Sequence, residues 1–177
     1  MTEAETIKDA EGAGPDSADH GDDRQPAPVQ WVMVKPESIE RLWPQIEPLL
    51  RKATEWSPVL QRLEGLTSIK QRCLADFYQV AVCIDGGYYL NGELRGGAMI
   101  GVLVSRLTTH PGATVLDIHY GAGEGVLQHL PTLWEKTAWD LRAAGARMVR
   151  IVGRSGWERA LADIGFEKAA TVFVKDV

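Results

Sequence analysis

The stretch from Leu116 to Phe166 reads LDIHYGAGEGVLQHLPTLWEKTAWDLRAAGARMVRIVGRSGWERALADIGF. It begins with the alternating residues of a strand, and the glycine-rich run Gly121–Gly125 follows as a turn. Apolar side chains then recur at helical spacing, before a second strand at Arg147–Val152 and a short helix. A strand, a helix and a strand in this order predict that the two strands run parallel in one sheet.

Helix-end signals support this reading. Gly145 is placed to cap the C-terminus of the long helix, and Gly165 is placed to end the short one. Ser155 and Glu158 have the spacing of a capping box, which predicts that the short helix begins after Ser155.

Upstream of this stretch, the chain alternates helical and extended patterns. Upstream strands are predicted at Gln30–Val34, Tyr78–Ile84 and Ala98–Thr108. The strand that opens the quoted stretch is Thr114–Tyr120, and a closing strand is predicted downstream at Ala170–Lys175. The turn His110-Pro111-Gly112 predicts that the strands on either side of it form an antiparallel hairpin. Gly101 suggests a bulge or a close backbone approach. Tyr88–Gly97 is interpreted as a hairpin excursion or a mobile loop.

Three helical segments are predicted before Tyr78. The first is amphipathic, with Ser38 as its N-cap and with interruptions at Pro44 and Pro48. A second begins at Ser57-Pro58, and a third begins at Thr67 or Ser68. The whole pattern predicts an α/β fold: a mixed, mostly antiparallel central sheet with a parallel C-terminal part and helices on both faces.

Charge divides the chain of 177 residues into two parts. Met1–Pro28 has eight acidic residues, two basic residues and no aromatic residue, so we predict a disordered acidic tail. Residues 29–177 form the predicted domain and are nearly neutral, which disfavours nucleic-acid binding. The tail is interpreted as a solubilising segment or as a docking arm for a protein partner with a basic surface.

Composition narrows the setting further. Cys73 and Cys83 lie in predicted regular elements without the spacing of a metal site, so we expect buried free thiols, no metal and a reducing cytoplasm. No apolar run approaches the length of a membrane span, and no signal peptide is recognised, so no membrane association is expected.

The order and spacing of these elements resemble the GNAT superfamily of acyl-CoA N-acyltransferases, from about Trp31 to Val177. The most specific part is the strand, glycine-rich turn and helix ending in Ala-Ala-Gly-Ala, followed by a strand, a short helix and Gly165-Phe166. The segment Gly153–Trp157 is also similar to a variant seen in compact GNAT-like proteins encoded by phages.

The resemblance implies a site for acetyl-CoA or another acyl-CoA. In the family, the turn after the fourth strand cradles the coenzyme A pyrophosphate on backbone N–H groups at a helix N-terminus. The matching residues here are Tyr120, Gly121, Ala122, Gly123 and Gly125, with Arg154 at the rim of the cleft. The family usually has Arg or Gln where this chain has Tyr120, and Glu124 adds a carboxylate. The alternative is a tight turn that needs glycine for its backbone alone.

Acyl transfer to an amine also needs a base and an acid. Asp117 and His119 are predicted to share one face of the strand before the turn, opposite Leu116, Ile118 and Tyr120, and either one is a candidate base. The alternative is that they form a polar face with no catalytic role. Many family members use a tyrosine as the acid, but Ala160 and Leu161 stand in that region here.

Two functions therefore remain open. The first is an acyl-CoA-dependent N-acyltransferase acting on a small-molecule or protein amine. The second is a catalytically inactive GNAT-fold structural or protein-interaction component, such as a phage virion protein.

Overall fold

The computed structural model describes residues 28–55, 64–152 and 155–169. Four predictions lie outside these ranges: nearly all of the acidic tail, the helix starting at Ser57-Pro58, the site residue Arg154, and the closing strand Ala170–Lys175. Among the described residues, no helix combines the length and the apolar character needed to cross a lipid bilayer.

The described residues contain seven strands in two sheets. They are β1 (Gln30–Val34), β2 (Gln79–Asp85), β3 (Tyr88–Leu90), β4 (Glu93–Arg95), β5 (Ala98–His110), β6 (Ala113–Gly123) and β7 (Ala146–Ile151). The main sheet has the order β1-β2-β5-β6-β7, and all its neighbours are antiparallel except the parallel pair β6 and β7. This confirms the predicted mixed sheet. β3 and β4 form a small antiparallel hairpin, which agrees with the interpretation of Tyr88–Gly97 as a hairpin excursion.

Within the described ranges, four α-helices are present. They are α1 (Pro36–Glu55), α2 (Leu66–Leu74), α3 (Val126–Ala143) and α4 (Glu158–Ala162). α1 begins at Pro36, which places its N-cap at Lys35, so the prediction of Ser38 as N-cap is wrong by three residues. Proline suits the first helical position because the backbone N–H it lacks would have no partner there.

The start of α4 also differs from the prediction. Ser155–Trp157 form a 3-10 turn, and Trp157 is at the N-cap position without a side-chain cap among the described residues. The predicted capping box is therefore wrong. The end of α4 is confirmed, because Phe166 N–H bonds to Leu161 O and Gly165 N–H bonds to Ala162 O in a Schellman arrangement.

The core has two parts, one on each face of the sheet. The first packs α1 and α2 on the face that carries Val80, Val82, Val102, Val104, Tyr120 and Ala122. The second packs α3 on the face that carries Trp31, Ala81, Cys83, Leu103 and Ile118. Helices thus cover both faces, as predicted.

A β-bulge in β6 changes which residues share a face. Val104 pairs with Tyr120, but the next residue, Ser105, pairs with Ile118, so His119 is the extra residue. Ile118 therefore faces α3, whereas Tyr120 faces α1. The prediction that Tyr120 shares a face with Ile118 is wrong, because strict alternation does not continue through a bulge.

Candidate functional site

The strands β6 and β7 separate near the middle of β6. Their pairing runs from Thr114 and Ala146 to Ile118 and Ile151, while β6 continues to Gly123 paired with β5. Within the described ranges, His119–Gly123 therefore has no paired strand on the β7 side. Backbone N–H and C=O groups of a strand point alternately to its two sides, so some of them face this open edge. We call His119–Gly123 the open edge of β6.

His119 lies where the open edge begins. Its ring centre is 5.1 Å from that of Tyr78 and 6.4 Å from that of Tyr120. Its Nε2 atom is buried and has no hydrogen-bond partner among the described residues. Burial lowers the pKa of His119, and this outweighs the opposing effects of Asp117 and Glu64. The imidazole is therefore neutral at pH 7 and has a nitrogen available for a proton.

Asp117 is differently placed. It is buried, and its Oδ1 accepts a hydrogen bond of 2.6 Å from Arg150 Nε on the neighbouring strand. Burial by itself raises the pKa of Asp117, but the hydrogen bonds from Arg150 and Thr108 and the charge of Arg150 together hold it below its usual value. Asp117 is thus a stabilised carboxylate with engaged oxygens, and it is a weaker candidate base than His119.

A second carboxylate, Glu64, was missed by the sequence reasoning. Its Oε2 accepts hydrogen bonds of 2.9 Å from the hydroxyls of Tyr78 and Tyr120, which lie 14 and 56 residues away. Its Oε1 accepts from Ser68 and from Arg72 Nε. No local pattern marks Glu64, because three separate parts of the chain meet there.

The two tyrosines of this network stay protonated. Burial and the hydrogen bond to Glu64 raise the pKa of both Tyr78 and Tyr120 above the ordinary phenol value. Both side chains are almost fully buried. Tyr120 therefore contributes its hydroxyl to the interior of the α1 face, and only its backbone lies on the open edge.

The predicted glycine-rich turn is shorter than expected. Gly121, Ala122 and Gly123 belong to β6, and the turn consists of Glu124 and Gly125. A Cβ at Gly123 would overlap the carbonyl oxygen of Ile100, and its φ is +123°. Packing in the strand therefore requires glycine at this position whether or not a ligand binds.

The start of α3 fits an anionic group. Gly125 is the N-cap in the left-handed conformation, with φ of +69°, and no described side chain caps the helix. The first turn contains no acidic residue, and Glu124 is exposed, so its carboxylate can turn towards water. The backbone N–H groups at this end are suited to phosphate oxygens.

The remaining predictions concern Arg154, metal ligands and the two cysteines. Arg154 lies outside the described residues. Within the described ranges, no three His, Cys, Asp or Glu side chains are grouped as metal ligands. Both cysteines are buried thiols, and burial raises the pKa of Cys73 to about 12 and that of Cys83 to about 11.

This geometry is similar to that of known protein structures. At the level of sequence, neither protein-family models nor curated proteins match the chain. Solved structures do. An aminoglycoside acetyltransferase from an uncultured soil metagenomic sample aligns with TM-score 0.53 and 16% identity over 85% of this chain and 99% of that chain.

Two others are similar. Aminoglycoside N-acetyltransferase AAC(6')-Iy, in complex with CoA, aligns with TM-score 0.51 and 13% identity over 84% of this chain and 94% of that one. A GNAT family acetyltransferase from Staphylococcus aureus aligns with TM-score 0.50 and 12% identity over 85% of this chain and 100% of that one. Together with the mixed sheet and its separating parallel pair, these alignments show that the chain has the GNAT fold.

Proposed function

We propose that this protein is an N-acyltransferase that transfers an acetyl group from acetyl-CoA to an amine. The observation that carries the proposal is that His119 lies where the pairing of β6 and β7 ends. β6 leaves β7 after Ile118, and the next residue, His119, has a buried nitrogen without a described partner. The end of the β6–β7 pairing would give a ligand access to backbone groups, and the neutral imidazole beside it would serve as the base.

The coenzyme is assigned to the open edge of β6 and to the start of α3. The pantetheine part of coenzyme A contains amide groups, which can pair with unpaired backbone groups of a strand. Tyr120, Gly121, Ala122 and Gly123 would contribute their backbone, and Gly125 with the first N–H groups of α3 would bind phosphate oxygens. Arg154 remains a predicted contact to a phosphate. The bound coenzyme supplies the activated thioester.

His119 is assigned as the general base. Neutral imidazole accepts the proton that the amine nitrogen loses as it forms its bond to the acetyl carbon. The resulting imidazolium can return that proton to the departing thiolate, which balances the reaction without a tyrosine on α4. Asp117, the other predicted base, is assigned a positioning role through its hydrogen bond to Arg150.

The first test is titration of acetyl-CoA into the full chain, with release of free thiol measured over a panel of amines. We expect micromolar binding. His119→Gln should lower kcat about a hundredfold while the Kd of acetyl-CoA changes by less than about twofold. His110→Gln, at the exposed end of β5, is the matched control and should leave both values unchanged. Absence of binding at millimolar acetyl-CoA would contradict the proposal.

The pH dependence of kcat/KM provides a second test. Because burial lowers the pKa of His119, its neutral form persists below the ordinary value of 6.5. We therefore expect kcat/KM, expressed per unprotonated amine so that the amine's own titration is removed, to fall on the acid side only below about pH 6.5, and this limb should be absent in His119→Gln. An acid limb centred above pH 7 would exclude His119 as the base.

The alternative function has no comparable support. None of the structural relatives named above is described as a phage or virion protein. A docking role for the acidic tail and a cytoplasmic location remain predictions.

A further inference from the structure

An arginine-rich surface lies beside His119 on the α1 face of the sheet. It consists of Arg72, Phe77, Arg106 and Arg150, and we call it the arginine surface. The Phe77 ring is 37% exposed, with the guanidinium carbon of Arg106 3.8 Å and that of Arg72 5.0 Å from its centre. Stacking of this kind holds guanidinium groups in place without neutralising them.

Strand register places two of these arginines close to His119. Arg106 on β5 and Arg150 on β7 are the two neighbours of Asp117 across the sheet. His119 follows Asp117 by two residues, or about 7 Å along a strand. Both arginines act on His119 electrostatically, because each lowers its pKa.

The carboxylates of this region leave positive charge at the surface. Glu64 and Asp117 are largely buried and are engaged by Arg72 and Arg150. Among the described residues, Arg150 contacts Asp117 through Nε, and its terminal nitrogens can bind a ligand. Arg106 has no carboxylate within ion-pair distance in the described part of the chain. Asp76, which precedes Phe77 in the chain, is exposed to solvent.

The arginine surface and the proposed phosphate site belong to different layers. α3 packs on the opposite face of the sheet, against Leu103 and Ile118. The start of α3 can therefore hold the phosphates of the coenzyme without these arginines. The cationic side chains beside the base are therefore free to bind an anionic group other than the coenzyme phosphates.

We infer that the amine acceptor carries a carboxylate or another anionic group, which Arg106 and Arg150 bind while its amine faces His119. The inference rests on the proposed function and names its substrate class. A guanidinium and a carboxylate form charge-assisted hydrogen bonds, whereas a polyamine would be repelled at this surface.

The test compares acceptors of opposite charge with the full chain and acetyl-CoA. L-Glutamate and a short peptide with an acidic N-terminal residue represent anionic amines, and putrescine and spermidine represent cationic ones. We expect kcat/KM to be at least about tenfold higher for the anionic group. Equal values, or a preference for the polyamines, would overturn the inference.

Variants locate the effect. Arg106→Gln should raise KM for the anionic amine about tenfold, with kcat and acetyl-CoA affinity little changed. Arg106→Lys keeps the charge and should restore most of the affinity. Arg142→Gln, an exposed arginine in the last turn of α3, is the control and should have no effect. An unchanged KM in Arg106→Gln contradicts the inference.

Direct binding separates this inference from the proposed function. Glutamate is titrated into the full chain and into Arg106→Gln without coenzyme. If acetyl-CoA binds but glutamate does not, the inference fails and the acyltransferase proposal stands. If acetyl-CoA does not bind but glutamate binds in an Arg106-dependent way, the enzyme proposal fails and the arginine surface remains an anion site.

Discussion

The two halves of β6 differ in how many of their backbone and polar side-chain groups have hydrogen-bond partners. From Ala113 to Ile118 the strand lies between β5 and β7, and its buried Asp117 is paired with Arg150. From His119 to Gly123 the strand keeps only β5, and it begins with a bulged histidine whose Nε2 has no described partner.

This difference shows where a sheet can support chemistry. A complete ladder satisfies backbone groups on both sides and fixes polar side chains in internal pairs. Where two parallel strands separate, backbone groups and a titratable side chain become available to a ligand. The same strand therefore provides a rigid half and a half with binding capacity.

The largest expected effect on stability comes from the open half. Gly123→Ala should lower the free energy of unfolding by about 3 kcal/mol, because the added Cβ overlaps Ile100 O and the φ of +123° is strained for alanine. Chemical denaturation measures this change. Gly112→Ala is the control, since its φ is +97° but no atom lies within 4 Å of the added Cβ, and about 1 kcal/mol is expected. Similar losses in both variants would mean that crowding at Gly123 is unimportant.

Glu64 holds the open half to α2, so its removal should have the next largest effect. Glu64→Ala leaves the buried hydroxyls of Tyr78 and Tyr120 without their acceptor, and we expect a loss of about 2 kcal/mol in unfolding free energy. Arg72 can rehydrate because it is half exposed, which limits the loss. Glu40→Ala, which removes an exposed partner of Lys70, should change stability by less than about 0.5 kcal/mol. A result for Glu64→Ala no larger than this control would contradict the network.

The paired half should show the smallest effect and a clear pH dependence. Asp117→Asn should lower the unfolding free energy by about 1 kcal/mol at pH 7, since half-exposed Arg150 is partly screened by solvent. The folded-state pKa of Asp117 is lowered, so its contribution is complete above the unfolded value near 3.9 and is lost as pH falls through the folded value. The difference between wild type and variant should therefore shrink progressively as pH falls below about 4. A difference that stays constant from about pH 5 to about pH 2 would show that the ion pair is not its source.

Much of the fold was predictable because its signals are local. The strand and helix patterns, the turn at His110–Gly112 and the end of α4 at Gly165 all depend on neighbouring residues. Gly101 is predicted to mark a bulge or a close backbone approach, and both occur there. The pairing of β2 and β5 shifts register beside Gly101, and an added Cβ at Gly123 would overlap the Gly101 Cα. In the candidate site, Asp117 and His119 were named from the family resemblance together with strand alternation, although the bulge at His119 interrupts that alternation.

What the sequence determined by itself is the set and order of elements, since propensity, periodicity and glycine or proline positions act within a few residues. Only the tertiary structure decided that the bulge at His119 turns Tyr120 towards α1 and that the predicted glycine turn is mostly strand. The meeting of Glu64 with Tyr78 and Tyr120 was likewise decided there. These features depend on register between strands and on contacts across many residues, and their energies exist only once the distant segments have packed together.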